Sequence, residues 1–200
     1  QGDIAEVTKA CAAKIHHRGP DDSGLYVSDD GWCALGFTRL AINDPAQGAQ
    51  PMRLPVGPAT TPPAIVSVTN GEIYNHAELR DSVLKGYALA SHSDCEVMAP
   101  LVHKYVTHAE DHEFEHVFNL LRGVFATLIV NVETGRFVAA RDPIGVRAMF
   151  VGSADDGSIW FASEAKALLD HCDRIDPFLP GTYLTGVRGA EHDCLDAETK

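Results

Sequence analysis

The 200-residue sequence predicts an α+β fold: antiparallel sheets stacked face to face, with helices packed outside them. Three turn signals carry the first part of this expectation. Asp30-Gly31, Thr134-Gly135 and Asp156-Gly157 each sit between two runs of strand-forming residues, as hairpins require. The runs "AIVSV" and "FATLIV" carry apolar residues at consecutive positions. Both faces of their sheets must therefore be covered, which a half-solvated antiparallel sheet would not need. Finally, a few segments with helical periodicity are interspersed among the hairpins, enough to supply outer layers.

Taken in order, residues 2–17 read as a helix with Ile4, Val7, Ala10, Cys11 and Ile15 on one side. "HHRGPDDSG" breaks at Gly19-Pro20 into a loop. "SGLYVSDDGWCALGFTRLAI" forms the first hairpin, and the Pro-rich "RLPVGPATTPPA" is a surface loop or sheet edge. "AIVSV" is a short buried strand that stops at Asn70-Gly71, a pair whose tolerance of positive φ predicts a turn. "HAELRDSVL" and "SDCEVMAPLVHKYV" are helical, with Ser93 or Asp94 as N-cap and Glu96 in the first turn of the second. "GVFATLIVNVETGRFVAARD" and "AMFVGSADDGSIWFAS" are two more hairpins. "EAKALLDHC" reads as a helix, and "PFLPGTYLTGV" opens a last strand.

Composition narrows the function classes. A net charge of -12 argues against nucleic acid or an anionic membrane surface as partner. The longest apolar runs are too short for membrane insertion. The five cysteines (Cys11, Cys33, Cys95, Cys172 and Cys194) are odd in number, widely spaced and without C-x-x-C, so reduced thiols in a cytoplasmic setting are expected, and no metal site. His108, His112 and His116 recur every four residues in an acidic, insertion-like segment, Thr107 to Asn119. Zinc is conceivable there, but three histidines spread over two turns seldom converge on one ion, and a solvated helical face explains them.

Each polar cluster has an ordinary structural explanation when taken singly. Asn70-Gly71 is a turn, Arg39 a core-rim arginine, Asp94 a helix cap. Their order is what carries information. "HHRGPDDSG", "GFTRLAINDP", "AQPM", "NGEIYNHAELR", "SDCEV", "LRGVFA", "ARDPIGVR", "FASEAKAL" and "PFLPGTY" follow one another between Ile4 and Tyr183. This series resembles the class II glutamine amidotransferase domain of glutamine-hydrolysing asparagine synthetases.

The resemblance implies a four-layer αββα sandwich of the N-terminal-nucleophile type over residues 1–185, with 186–200 beginning a linker toward a synthetase domain. It implies L-glutamine as substrate. A thiolate attacks the side-chain amide, and the α-amino group of the same N-terminal cysteine, with a reference pKa of about 7.7–8.0, moves the proton. Arg39 then matches the group that binds the substrate α-carboxylate, a task suited to a planar two-pronged donor. Leu40, Ala41, Ile42 and Asn43 match the strand lining that pocket. Asn70, through its side-chain amide, and Gly71, through its backbone N–H, match the oxyanion hole. Glu72 and Asp94 match the acids that hold the α-ammonium. "HHRGPD" and "ARDPIGVR" match loops that shape the pocket. No cofactor is implied for this domain; ATP and Mg belong to a synthetase domain, in cis or on another subunit.

The sequence departs from that pattern in places. The family begins Met-Cys-Gly-Ile, whereas Gln1-Gly2-Asp3 already leads into the first helix, so the first strand and the nucleophile are expected upstream of Gln1. Thr38 stands where a histidine is usual, and Ala148 where a proline is usual. Two functions stay open on this sequence: the glutaminase part of an asparagine synthetase, or an inactive amidotransferase-like domain that serves as a structural or docking subunit.

Overall fold

A computed structural model describes residues 3–41, 44, 47–55, 63–106, 108 and 110–189. The first helix, α1, is Ile4–Lys14; the Asp3 carboxylate accepts from the Ala5 N–H at 3.0 Å at its start, and Lys14 sits in its last turn. Strands β1 (Asp22–Val27) and β2 (Ala34–Arg39) pair antiparallel around the Asp30-Gly31 turn. Strands β3 (Met52–Pro55) and β4 (Pro63–Ile73) follow, then α2 (His76–Asp81), α3 (Met98–Tyr105) and α4 (Asp111–Asn119). The remaining strands are β5 (Gly123–Asn131), β6 (Arg136–Arg141), β7 (Phe150–Ser153), β8 (Ile159–Ala162), β9 (Arg174–Pro177) and β10 (Tyr183–Val187).

The central sheet has the order β10-β6-β5-β4-β3 and is antiparallel throughout. Alternation along its strands assigns its two faces. Ile65 and Ile73 of β4, Phe125 and Ile129 of β5, and Val138 and Ala140 of β6 pack with Leu79, Met98, Leu101, Phe114 and Val117 of α2, α3 and α4. The opposite face, through Val66, Val68, Ala126, Leu128, Val130 and Ala139, meets the β1-β2 hairpin at Leu35 and the three-stranded sheet β8-β7-β9 at Val151 and Phe161. Outside this second layer lies α1, where Gly36 of β2 admits Thr8 and Ala12 of the helix. The layers are helices, sheet, sheet, helix, as the αββα expectation requires.

Several local expectations need correction. Asn70-Gly71 is no turn: β4 runs straight through it to Ile73, paired with Ala126 and Phe125 of β5. Gly71 has no positive φ. It is glycine because the two backbones approach closely, and a Cβ there would lie 2.2 Å from the Val124 carbonyl oxygen.

Asp94 and Ser93 do not cap α3. A 3-10 turn, Asp94–Val97, precedes that helix and has no side-chain cap. "EAKALLDHC" forms only a 3-10 turn at Ala165–Ala167, because tertiary contacts redirect the chain. Asp170 is drawn to Lys14 of α1 at 2.6 Å, His171 stacks on Trp160, and Cys172 packs against Gly152. His108 precedes α4 rather than joining its face; it faces Glu113 at 3.5 Å, while His112 faces Glu110 at 3.3 Å and His116 stacks edge-on with Tyr105. No group of three metal-ligating side chains occurs among the described residues. Among them, too, no helix is long and apolar enough to cross a membrane. Ile42, Asn43 and residues 190–200 lie outside the described residues.

Candidate active site

A cleft of about 620 Å³ opens between the two sheet layers. Arg39, Leu40, Asn70, Gly71, Glu72 and Asp94 all line it. Ala41 is not among the lining residues; its N–H donates to the Asp21 carboxylate at 2.8 Å, which fixes the chain just beyond β2. Strands β2 and β8 both line the cleft, and each is paired on one edge only among the described residues.

Arg39 ends β2, is 7% exposed, and donates through Nη2 to the Asp44 carbonyl at 2.6 Å. Asp44 connects two parts of the site. It has φ of 43°, a left-handed conformation that aspartate tolerates, and its carboxylate accepts from the His92 N–H at 2.8 Å. That bond, the largest of several influences, holds the Asp44 carboxyl below the usual carboxylate range. The segment carrying Arg39 is thus tied to the segment entering Asp94. The approach to Asp94 is fixed from within by Glu96. Its carboxylate accepts from the Ala90 N–H at 2.5 Å, the Ser91 hydroxyl at 2.9 Å and Arg80 at 3.1 Å. Arg80 also donates to the Ser91 and Ser93 carbonyls.

Asp94 is 4% exposed and accepts from the Ile73 N–H at 2.8 Å, so it binds the end of β4 rather than a helix terminus. Glu72 is exposed in the same cleft. The Asn70 amide reaches the Ser163 hydroxyl at 3.5 Å, a long contact that leaves it weakly held.

The direction of the Gly71 N–H follows from its neighbours. The Thr69 N–H and the Ile73 N–H both donate away from β5, to side chains. The Tyr74 N–H, of the other parity, donates to the Arg122 carbonyl on the β5 side. Alternation therefore directs the Gly71 N–H outward, away from β5. Asn70, with its side-chain amide, and Gly71, with its outward N–H, thus both bring donors to the cleft, but from a strand rather than a turn.

Three cleft residues were not anticipated as functional. Gln50 and Ser163 touch the backbone and side chain of the donor strand. Arg147, from the "ARDPIGVR" loop, brings a guanidinium into the cleft, and its buried Nε has no partner among the described residues. The loop motif located Arg147, but nothing in its spacing showed that the side chain turns inward.

Cys95 adjoins this site without qualifying as a nucleophile. It is 4% exposed, and burial, followed by the Asp94 carboxylate, raises its pKa far above that of an ordinary thiol. Cys95 should resist alkylation by iodoacetamide at pH 8 in the folded protein and react only after denaturation, which peptide mass spectrometry reads directly.

A sequence profile described as "Glutamine amidotransferase domain" matches residues 1–185. The chain belongs to this family. Its relatives include the glutamine-hydrolyzing asparagine synthetase 3 of Arabidopsis thaliana, 40% identical over 176 residues, which cover 88% of this chain and 28% of that protein. A probable glutamine-hydrolyzing asparagine synthetase of Dictyostelium discoideum is 42% identical over 176 residues, covering 87% of this chain and 29% of that protein. The amidotransferase chain thus spans under a third of the length of these relatives.

Two solved structures share the fold. Glutamine phosphoribosylpyrophosphate amidotransferase from B. subtilis superposes with a TM-score of 0.76 at 20% identity, over 92% of this chain and 45% of that one. An allosteric regulatory enzyme of purine biosynthesis gives 0.73 at 19% identity, over 92% and 44%. The architecture of the amidotransferase domain is the N-terminal-nucleophile αββα sandwich that the motif series implied.

Proposed function

We propose that this domain hydrolyses the side-chain amide of L-glutamine and passes the ammonia to an ATP- and Mg-dependent synthetase domain that amidates aspartate. The observation that carries this reading is the convergence of Arg39, Asn70, Gly71, Glu72 and Asp94 on one cleft of an amidotransferase domain. The similarity to asparagine synthetases supports the choice of acceptor. In this scheme Arg39 takes the α-carboxylate, and Glu72 and Asp94 take the α-ammonium. The scissile amide then lies at the Asn70 amide and the outward Gly71 N–H, where charge develops in the tetrahedral intermediate. The thiolate comes from the N-terminal cysteine of a strand seated along the free edges of β2 and β8, and its α-amino group carries the proton. Loss of ammonia leaves a γ-glutamyl thioester on that cysteine, held by the same charged groups until water hydrolyses the C–S bond to give glutamate and the free thiol. Hydrolysis needs no cofactor, and the setting is cytoplasmic.

The test separates recognition from chemistry. The 200-residue polypeptide should bind L-glutamine in calorimetry yet release no ammonia, while the protein carrying a Cys-Gly-Ile strand before it should do both. Ammonia release by the 200-residue polypeptide above background would refute the assignment of the nucleophile. In the active protein, Arg39→Lys should raise KM for glutamine about 10- to 100-fold with kcat little changed, because a point charge replaces a two-pronged donor in both ground and transition states.

A further inference from the structure

The edge of β4 that faces away from β5 is handled unusually. Up to Ser67 it pairs with β3, where Met52 stands opposite Ser67. Two positions further, the next hydrogen-bonding rung of that register sets Gln50 opposite Thr69. The Gln50 backbone is not available to continue the ladder: its carbonyl presses on β1, where a Cβ on Gly24 would lie 1.8 Å from it. The buried Gln50 side chain takes over instead. Its Oε1 accepts from the Thr69 N–H at 2.7 Å, and its Nε2 donates to the Thr69 carbonyl at 3.0 Å. Thr69 is further pinned through its hydroxyl, 2.8 Å from that of Thr127. Four residues on, the Ile73 N–H is taken by Asp94. The outward N–H of Gly71 thus lies between two amides that are each held by a side chain.

We propose that Gln50 is a positioning residue for the oxyanion donors: its amide replaces one rung of the β3–β4 ladder and so fixes the Thr69–Gly71 backbone while leaving the Gly71 N–H unspent. A continued β3 backbone would put residue 48 opposite Gly71 and give its N–H a carbonyl partner. An amide side chain reproduces both hydrogen bonds of one rung and then ends the ladder. Neither a shorter side chain nor a carboxylate can do this.

The inference rests on the glutaminase reading, and its test uses the full-length natural protein. Gln50→Ala should lower kcat for glutamine hydrolysis about 10²-fold, the usual effect of a small misplacement of catalytic groups, with KM within about two-fold. Gln50→Glu sets a carboxylate oxygen against the Thr69 carbonyl, and only the protonated form can donate. The ratio of its kcat to that of wild type should therefore rise as pH falls from 8 to 6, a trend that a merely weakened fold would not produce. Hydrogen exchange gives a readout independent of activity: Gln50→Ala should speed exchange at the Thr69 amide and leave β5 and β6 protected. Unchanged Thr69 exchange overturns the proposal. So does loss of protection across the whole sheet, or a wild-type kcat with accelerated Thr69 exchange. If wild type releases no ammonia, the glutaminase reading fails, and the exchange result alone decides whether Gln50 holds the strand.

Discussion

Replacing Asp142 with alanine should cost about 4 kcal/mol of stability and lower Tm by about 8–16 °C, read by thermal unfolding of the purified protein. Asp142 is fully buried. Its Oδ1 accepts from the N–H groups of Ile144, Gly145 and Val146 at 3.1, 2.7 and 3.1 Å. Its Oδ2 accepts from Phe125 at 3.2 Å and Arg147 at 3.3 Å. One carboxylate therefore organises the whole loop after β6 and ties it to β5. Removing it strands several donors where water reaches poorly.

Burial alone would raise the Asp142 pKa, but the N–H groups of Val146, Arg147, Gly145 and Phe125 outweigh it, and the carboxyl sits below its usual range. A depressed folded-state pKa contributes stability that is fully present well above the unfolded value of about 3.9 and is lost as pH falls through the folded value. Wild type should thus lose stability on acidification below about pH 4. Asp142→Asn, already destabilised at neutrality, should show a shallower acid limb. A wild-type acid limb in Asp142→Asn would show that other carboxylates carry it. The loop also delivers Arg147 to the cleft, so the variant should lose the site before it loses the sheets.

Much of this site could be read from order along the chain. Arg39, the Asn70–Glu72 stretch and Asp94 lie in three separate motifs whose succession pointed to one pocket, and all of them line the same cleft. The three Gly-containing turns at residues 31, 135 and 157 are hairpin tips with positive φ, where local chemistry decides the conformation. Asn70-Gly71 misled because the same dipeptide also serves a strand that needs close backbone approach, and only the partner strand distinguishes the two cases. The segment after Glu164 has helical composition, but Lys14, Trp160 and Gly152, all distant in sequence, bend it into a turn. The parts played by Gln50, Asp44 and Glu96 were hidden for a related reason. A side chain that grips backbone leaves no periodicity, and its partner is chosen by the fold.

Gly71→Ala should remove at least 10²-fold of kcat and about 3 kcal/mol of stability, and the two losses can be separated. The added Cβ would meet the Val124 carbonyl oxygen at 2.2 Å and the Phe125 Cα at 2.7 Å. Both are backbone atoms inside a five-stranded sheet, so neither can rotate aside. The strands must part at this rung, which displaces the outward Gly71 N–H from the point where the oxyanion forms. Gly123 provides the control. A Cβ there would lie 2.2 Å from the Glu72 carbonyl, the same clash seen from the other strand. Gly123 stands opposite Ile73 and presents no donor to the cleft. Gly123→Ala should therefore lose comparable stability and far less kcat. Measurements belong at a temperature where near-UV circular dichroism shows both variants folded. Equal kcat losses in the two would mean that general loosening of β4–β5 explains the effect. A folded Gly71→Ala with wild-type kcat would remove Gly71 from the oxyanion hole and leave the Asn70 amide as its chief donor.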